Sequence, residues 1–461
     1  MNEIYKTMKK YSESDIYPFH MPGHKRRKMD IFQGKHPYEV DFTEVDGLDD
    51  LHEPEEMFRT ALDRAKEFYG TKETFFLVNG STSGIMASIA AVCQIGDTII
   101  VGRNCHKSVA KAIELLGLHP VYVYPEYDSE NGMVTEISIE AVKKAVEEHP
   151  EAKGVLIVSP TYEGVVMDIL GISEITRGHQ MALIVDEAHG AHFPFSEHFP
   201  KSAISLGADL VIQSLHKTMP AFTQTALLHV CTDRIEGKRV QESIQYFETT
   251  SPSYLFSASM EDAIAYGIQE KEAFEQYWRL LREFRKKAEG WKYLQLADND
   301  DQGKLVISTA KCKMTGKQLY DILLKKYRLQ MEMAQERYCL AMTSVCDTAE
   351  GYERLAQALE EIDQVCEGQE TEYFTQWKVE NELVMIPNMA RRADTERVLV
   401  EECAGRISGE YIYLYPPGIP LVVPGERLSK EVIMKMKEYQ DGELRIRGME
   451  DSEAKWIKVI K

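Results

Sequence analysis

The strongest constraint on the fold is an alternation of short apolar runs with amphipathic segments between residues 55 and 230. The amphipathic segments, such as "EEMFRTALDRAKEFYG" and "SIEAVKKAVEEHP", have the periodicity of helices. The apolar runs are rich in β-branched residues and read "TFFLV", "DTIIVG", "PVYVYP", "GVLIVSP", "MALIVDEAH", "ADLVIQS" and "TALLHV". Strands separated by helices are typical of an α/β domain. We predict a mostly parallel central sheet with helices on both faces.

The pattern changes after this region, which predicts a second and smaller domain. Residues 258–290 predict one long helical stretch. Strand-like and helical segments then alternate in "KLVISTA", "GKQLYDILLKKY", "RYCLAMTS" and "GYERLAQALEEIDQV", and a polar stretch at 367–375 is a possible linker. We therefore predict an N-terminal arm at 1–54, a large cofactor-binding domain at 55–300 and a C-terminal α+β domain at 301–461.

Composition excludes several classes of protein. A formal charge of −20 over 461 residues argues against nucleic acid as a partner, because binding a polyanion needs a basic surface. No apolar run approaches the length of a membrane span, and the N-terminus lacks the features of a secretory signal. The eight cysteines are scattered without a CxxC pair, which argues against a disulfide scaffold or a zinc ribbon. We expect a cytoplasmic protein without a metal site and without contact with a membrane.

The ends of the predicted strands deserve attention, because ligands of open α/β sheets bind beyond the carboxyl ends of the strands. In "FLVNGSTSG" (76–84), a strand leads through Ser81, Thr82 and Ser83 into a helix. Free N–H groups at a helix N-terminus, together with three hydroxyls, suit a phosphate. Ordinary capping by serine and threonine explains the same residues, and both interpretations stay open here.

Three further strand ends carry single reactive side chains: His106 in "VGRNCHKSV", Asp186 in "ALIVDEAHGAH" and Lys217 in "QSLHKTMPAFTQ". Each alone has an ordinary explanation as a loop histidine, an ion-paired carboxylate or a solvated lysine. A metal site of Asp186, His189 and His192 matches no known spacing. Taken together at one sheet edge, a phosphate turn, an aromatic ring, a buried carboxylate and a lysine fit pyridoxal phosphate (PLP).

The order of these motifs resembles the fold-type-I PLP enzymes of the ornithine/lysine/arginine decarboxylase group, in the short form without an N-terminal wing domain. Three further stretches carry the resemblance: "PFHMPGHK" (18–25), "TTSPSYLFSASMED" (249–262) and "YPPGIPLVVPGE" (415–426). The resemblance runs from about residue 17 to 430. It implies an aminotransferase-like fold and PLP as the cofactor.

The resemblance also implies a role for individual residues. Lys217 would form the Schiff base with PLP, Asp186 would pair with the ring nitrogen, and His106 would stack on the ring. The phosphate would be held by Ser81, Thr82 and Ser83, helped by Ser214 and His216. His189 and Ala188 would lie against the cofactor. Thr250 would reach the phosphate of a neighbouring subunit, which implies a homodimer or larger assembly with sites at the interface.

The implied reaction is decarboxylation of arginine, lysine or ornithine to CO2 and the corresponding di- or polyamine. His216 or Lys217 would return a proton to Cα. Glu332 and Glu426 are candidates, by resemblance, for binding the distal cation of the substrate. Gln335 stands where an acidic or small residue is expected. This difference would affect specificity if the surrounding segment contacts the substrate.

Three alternatives stay open at this stage, of which a phosphate-binding enzyme that does not use PLP is the weakest. An aminotransferase or a lyase on the same fold would use the same lysine and aspartate, and an aminotransferase would need an arginine for the substrate carboxylate. Arg103 could bind the substrate carboxylate in an aminotransferase, or it could have a different role in a decarboxylase. A non-catalytic PLP-binding homologue is the second alternative, and the intact lysine, aspartate and phosphate turn argue against it. The sequence does not select one of the three basic amino acids.

Overall fold

A computed structural model describes residues 3–370, 380–414, 418–441 and 444–461 of the chain. The possible linker at 367–375 and the motif at 415–426 therefore lie partly outside the described residues. Within the described residues, no helix has the length and apolar character needed to cross a membrane.

The first half of the chain alternates strands and helices, as the apolar pattern predicts. Its strands are β1 (Tyr17–Phe19), β2 (Glu73–Leu77), β3 (Thr98–Gly102), β4 (His119–Val123), β5 (Tyr127–Asp128), β6 (Met133–Val134), β7 (Gly154–Val158), β8 (Ala182–Asp186), β9 (Leu210–Gln213) and β10 (Ala226–Val230). Its helices are α1 (Glu3–Ser12), α2 (Met57–Tyr69), α3 (Gly80–Val92), α4 (Lys107–Leu116), α5 (Ile139–Glu148), α6 (Ile169–Gly178) and α7 (Leu215–Thr218).

Seven strands of the described chain form the large sheet in the order β2-β10-β9-β8-β7-β3-β4. The neighbours from β9 to β4 pair in parallel, whereas β10 is antiparallel to both β9 and β2. The prediction of a mostly parallel α/β sheet is confirmed. Since β2 runs parallel to β9, the carboxyl ends of β2, β3, β7, β8 and β9 lie at one edge of the sheet.

Both faces of this sheet are buried, which explains why its strands are apolar runs rather than alternating ones. In β8, Ile184 packs into the hydrophobic core on one face. Its neighbours Leu183 and Val185 pack into the core on the opposite face. Successive side chains of a strand point to opposite faces, so a strand covered twice must be apolar throughout.

The second half of the chain adds smaller sheets. Its helices are α8 (Gly237–Ile244), α9 (Tyr254–Gln269), α10 (Lys271–Ala288), α11 (Gly316–Lys325), α12 (Ala349–Val365), α13 (Pro387–Ala390) and α14 (Lys430–Asp441). Its strands are β11 (Gln295–Leu296), β12 (Lys304–Ser308), β13 (Leu329–Met331), β14 (Met333–Ala334), β15 (Tyr338–Met342), β16 (Thr395–Leu399), β17 (Ile412–Leu414), β18 (Pro420–Val422), β19 (Ile446–Arg447) and β20 (Trp456–Ile460).

The helical stretch predicted at 258–290 is two helices rather than one. Glu270 ends α9 and begins α10, with backbone angles φ −91° and ψ 55° that are not helical. The residues around Glu270 are polar, so no apolar stripe continues from α9 into α10 to stabilise a single helix. The apolar stripe of α10 starts beyond it and buries Phe274, Tyr277 and Leu281.

Strands β11, β12, β15 and β14 form a four-stranded sheet. This sheet crosses residue 300, the predicted limit of the large domain, because β11 pairs with β12. Further along the chain, β18, β17 and β19 form one small sheet and β16 pairs with β20. The division of the chain at 54 and 300 stays a prediction.

A buried ion pair joins the four-stranded sheet to the loop after β8. Lys304 Nζ lies 2.6 Å from Asp301 Oδ2 and donates to the carbonyl of His189 at 3.2 Å. Asp301 Oδ1 lies 3.2 Å from His192 Nε2. Burial alone would raise the pKa of Asp301, but Lys304 and His192 outweigh it and hold that pKa well below its usual range. The pair therefore stabilises the fold only while Asp301 is ionised.

We expect Asp301→Asn to lower the free energy of unfolding by about 3–5 kcal/mol, because it leaves the buried Lys304 ammonium without its counter-charge. The midpoint of thermal unfolding measures the loss. Stability that depends on Asp301 is present above the usual pKa of aspartate and disappears as the pH falls towards the lowered native value. The variant should therefore lose less stability on acidification than the parent.

Glu147→Gln is the matched control, since Glu147 forms an exposed pair with Lys143 at 3.9 Å, and it should leave the midpoint unchanged. Equal midpoints for the Asp301 variant and the parent at neutral pH would contradict this account of the buried pair.

Candidate active site

A cavity of about 460 Å3 lies at the carboxyl ends of the strands of the large sheet, and we call it the main cavity. Most of the side chains that the sequence singles out line it. They are Ser81, Thr82, His106, Asp186, Ala188, His189, His216 and Lys217. These residues therefore lie together in one cavity beyond the strand ends, where ligands of such sheets bind. Their individual roles stay predictions.

Lys217 lies in the short helix α7, directly after β9, and is partly exposed to the main cavity. Its Nζ is 2.9 Å from Nε2 of His189. Burial lowers the pKa of Lys217, although the carboxylates of Asp186 and Glu332 act in the opposite direction. A lysine with a lowered pKa has more of the neutral amine, which is the form that attacks a carbonyl group.

Asp186 ends β8 and is buried, and its Oδ1 accepts the N–H of Ala188 at 3.1 Å. Burial raises the pKa of Asp186, and the nearby Lys217 ammonium opposes that shift. A buried carboxylate of this kind gains stability from a positive partner. A protonated pyridine nitrogen in the main cavity would be such a partner.

Two cavity histidines are held in the neutral form. His106 is the N-cap of α4, and burial together with Lys217 lowers its pKa to about 3. Burial lowers the pKa of His216 to about 4, although its bond to a carbonyl opposes the shift. The Nδ1 of His216 lies 2.9 Å from the carbonyl oxygen of Thr225 and therefore carries the proton. Both rings are uncharged at neutral pH.

The predicted phosphate turn forms the N-terminus of α3. Gly80 begins the helix with φ +76°, a conformation that favours glycine. Ser81 and Thr82 line the main cavity, and Ser81 accepts the hydroxyl of Ser214 at 2.8 Å. The first N–H groups of a helix have no acceptor within the helix, so this end suits an anion.

Three of the predicted cofactor residues do not line the main cavity. The hydroxyl of Ser83 donates to the carboxylate of Glu248 and to the carbonyl of Gly80. Ser214 is fully buried and reaches the main cavity only through Ser81. Thr250 is exposed in the single chain, and its contact with a neighbouring subunit stays a prediction.

The structure adds residues that sequence reasoning missed. Tyr162, in the turn after β7, has its ring 4.3 Å from that of His189 and donates its hydroxyl to Glu332 Oε1 at 2.5 Å. Glu163 lines the cavity beside it. The signal was available, because "SPTYEG" follows a predicted strand just as the other motifs do.

The N-terminal arm forms part of the cavity wall. β1 pairs in parallel with β13, and Gly23 donates its N–H to the carbonyl of His216 at 2.7 Å. Met21 lines the cavity and donates its N–H to Glu332 Oε2 at 2.9 Å. The motif "PFHMPGHK" thus contacts the segment that carries Lys217.

Other candidates from the sequence are engaged elsewhere. Arg103 forms a buried ion pair with Glu426 at 3.1 Å, and neither residue lines the main cavity. Glu426 also accepts from Asn381 Nδ2 at 3.0 Å. His192 pairs with Asp301 instead of joining Asp186 in the cavity wall.

The described residues fit PLP. Nδ1 of His189 is buried without a hydrogen-bond partner among them, so the cavity wall has an unsatisfied polar atom. The N-terminus of α3 suits the phosphate, Asp186 suits the ring nitrogen, and Lys217 suits the aldehyde carbon. This set combines an anion site, a carboxylate and an amine in one cavity.

Sequence comparison finds two matching profiles. Residues 3–351 match the major domain of Orn/Lys/Arg decarboxylases, and residues 369–452 match the C-terminal domain of the same enzymes. An arginine decarboxylase of Bacillus subtilis (strain 168) is 34% identical, with 99% of this chain and 97% of that protein covered. An arginine decarboxylase of Bacillus anthracis is 31% identical over 99% of this chain and 97% of its own length.

Solved structures resemble the fold at lower sequence identity. The Francisella novicida lysine decarboxylase LdcF matches 98% of this chain and 80% of its own, with a TM-score of 0.79 and 19% identity. An alanine–glyoxylate aminotransferase from Nostoc sp. matches 76% of this chain and 96% of its own, with a TM-score of 0.56 and 14% identity. The predicted aminotransferase-like fold is confirmed.

We expect Gly23→Ala to loosen the N-terminal arm, because an added Cβ would lie 2.7 Å from the carbonyl oxygen of Met219. Backbone atoms cannot move aside as a flexible side chain can, so the arm has to shift away from α7. The measurement is the rate of tryptic cleavage within "HKRRK" (24–28), which should rise because local opening exposes the arm.

Gly178→Ala is the control, since a Cβ at the end of α6 meets no atom within 4 Å. It should leave the cleavage rate as it is in the parent protein. A Gly23 variant that is cut no faster than this control would show that the arm tolerates the added methyl group.

Proposed function

Because the chain belongs to the Orn/Lys/Arg decarboxylase family, as its motifs predict, we propose that it removes the α-carboxyl group of a basic amino acid as CO2 with PLP as cofactor. The product would be the corresponding di- or polyamine. The observation that carries the proposal is the geometry of Lys217, whose amine lies 2.9 Å from His189 Nε2 in a cavity at the strand ends that Asp186 also lines. A lysine and a carboxylate in this arrangement are what a PLP enzyme requires.

The chain's own residues would hold the cofactor at three points. The N-terminus of α3 with Ser81 and Thr82 would bind the phosphate, Asp186 would pair with the ring nitrogen, and Lys217 would bind the aldehyde carbon. His106 lines the same cavity, and its neutral ring suits stacking on an aromatic face. When bound, PLP supplies an electron sink for the bond between Cα and the carboxylate.

A proton must take the place of the departed CO2 at Cα, and Lys217 is the better donor of the two candidates. His216 is neutral above a pKa of about 4 and directs its Nδ1–H at the carbonyl of Thr225, so Nε2 has no proton to give. The lowered pKa of Lys217 makes its ammonium form a stronger acid than an ordinary lysine, and its Nζ lies beside His189 Nε2. We therefore assign the proton transfer to Lys217 rather than to His216.

The relatives favour one of the three basic amino acids as the substrate. The similar proteins from Bacillus subtilis and Bacillus anthracis are named arginine decarboxylases and are covered along nearly their whole length. Arginine is thus the first substrate to test, before lysine and ornithine. A homodimer with shared sites and a cytoplasmic location stay predictions.

An aminotransferase is less well supported. Such an enzyme needs a cation to retain the substrate α-carboxylate, and Arg103 is the arginine that the sequence offers for this role. Arg103 donates to the carboxylate of Glu426 and to the carbonyls of Pro420 and Leu421. It is therefore not available for a substrate in the main cavity.

Lys217→Ala should abolish the visible absorbance that PLP acquires when a lysine binds it, and with it the release of CO2 from arginine. The reason is that the variant lacks the amine that binds the cofactor and returns the proton. Lys201→Ala, at an exposed position of the same domain, is the control and should retain both properties.

A panel of arginine, lysine, ornithine and neutral amino acids, scored for CO2, amine and keto acid, separates the alternatives. Stoichiometric CO2 and amine from a basic amino acid would support decarboxylation. Keto acid without CO2 would refute it in favour of an aminotransferase. A parent protein that gains no visible absorbance with PLP would refute the choice of cofactor.

A further inference from the structure

A second, smaller cavity of about 130 Å3 adjoins the main cavity, and we call it the distal cavity. Tyr124, Tyr127, Gln335 and Tyr338 are among its lining residues. Both cavities share four lining residues, which mark the boundary between them: Asn104, Val134, Glu163 and Ile419. Lys217 and Glu163 therefore line the same main cavity, and Glu163 also lines the distal cavity.

Glu163 is held firmly at this boundary. The hydroxyl of Tyr338 donates to its Oε1 at 2.7 Å, and Asn299 Nδ2 donates to its backbone carbonyl at 2.7 Å. Gly164 follows with φ +95°, and a Cβ there would lie 3.0 Å from the side chain of Lys304. The backbone on both sides of the Glu163 side chain is thus fixed by contacts that do not involve its carboxylate.

The carboxylate of Glu163 lacks a counter-charge. The residue is 3% exposed, and its Oε2 has no hydrogen-bond partner among the residues that the structure describes. Burial raises the pKa of Glu163, and only hydrogen bonds, chiefly from Tyr338 and also from Thr161, oppose the shift. Burying a carboxylate without a cation costs free energy. A cationic ligand that binds beside Glu163 would offset a large part of this cost.

The other carboxylates around the two cavities are already engaged. The Lys217 ammonium lowers the pKa of Asp186 against the effect of burial, and Glu332 accepts the N–H of Met21 and the hydroxyl of Tyr162. Glu426 is paired with Arg103.

The cations that line the distal cavity are engaged as well. Arg103 has its partner in Glu426 at 3.1 Å, and Lys435 lies 2.9 Å from Glu438. Neither of these cations opposes the upward shift in the pKa of Glu163. The boundary therefore has one buried carboxylate for which the described residues supply no positive charge.

We propose that Glu163 binds the distal cationic group of the amino-acid substrate and that this contact determines the preference for a basic amino acid. The inference rests on the proposed function. The sequence suggests Glu332 and Glu426 for binding this cation, and the inference assigns the role to Glu163 instead.

A second oxygen at the boundary favours a guanidinium group over an ammonium group. Asn104 is 5% exposed, and its Oδ1 also lacks a partner among the described residues. A guanidinium carries five N–H donors in a fixed plane and can donate to two acceptors at once, whereas an ammonium is a compact point charge. Arginine fits this pair of oxygens better than lysine or ornithine does.

The test compares Glu163→Gln with Glu332→Gln, each assayed with arginine and with citrulline, which replaces the guanidinium by a neutral group of the same length. Glutamine keeps an oxygen for the Tyr338 hydroxyl and removes only the charge. We expect Glu163→Gln to raise KM for arginine on the order of 10- to 100-fold, the usual effect of losing a hydrogen bond to a charged group. KM for citrulline should change little, so the preference for the cation disappears.

A binding experiment on the holoenzyme keeps the inference separate from the proposed reaction. Isothermal titration with 4-aminobutylguanidine, the amine that arginine would give, should show a 10- to 100-fold loss of affinity in Glu163→Gln. Titration with butylamine, which lacks the distal cation, should show no such loss. Glu163→Asp, which keeps the charge, should recover part of the affinity and replaces the glutamine variant if that variant does not fold.

Each outcome has a distinct meaning. Retained preference for arginine in Glu163→Gln, with a loss of preference in Glu332→Gln, would overturn the assignment of Glu163. A parent enzyme that releases no CO2 from any basic amino acid would refute the proposed function. In that case, an unchanged affinity of the Glu163 variant for 4-aminobutylguanidine would separately refute the cation site.

Discussion

The burial of Lys217 among other titratable groups is the constraint on which the rest of the site depends. Its amine lies 2.9 Å from His189 Nε2, and the pKa of His189 is lowered far below its usual value, by burial first and by Lys217 next. Burial lowers the pKa of Lys217, and the carboxylates of Asp186 and Glu332 act in the opposite direction. Neutral imidazoles and the carboxylates of Asp186 and Glu332 therefore lie around the amine, and burial outweighs the two carboxylates and favours the neutral form.

This cluster is supported from outside by the four-stranded sheet. Lys304 contacts the carbonyl of His189 while its own charge is balanced by Asp301. The N-terminal arm contacts the other side through the bond from Gly23 to the carbonyl of His216. Two segments that are far apart in sequence, one with Gly23 and one with Lys304, thus fix the backbone at His216, next to the lysine, and at His189. Such support is what keeps reactive groups in a productive geometry.

Local periodicity was enough to predict the sheet and the strand ends that carry His106, Asp186 and Lys217. It was not enough to predict the phase of α3. Successive helical residues are about 100° apart, so Ser81 and Ser83 point in different directions, and only the former lines the cavity. The pairing of Arg103 with Glu426 joins residues separated by 323 positions, and no spacing in the sequence indicates it. The same holds for the contact between Met21 and Glu332.

The two ends of the combined cavity differ in charge, and this difference bears on the proposed reaction. No arginine is among the described residues that line the main cavity, and its histidines at 106 and 216 are neutral. A substrate carboxylate near Lys217 would therefore have no guanidinium among the described lining residues to retain it, although Lys107 also lines the main cavity. At the boundary with the distal cavity, Glu163 offers a negative charge to the opposite end of the substrate. Binding free energy gained at the distal cation is then available to hold the substrate with its α-carboxylate near Lys217, where no guanidinium of the described residues retains the group that leaves as CO2.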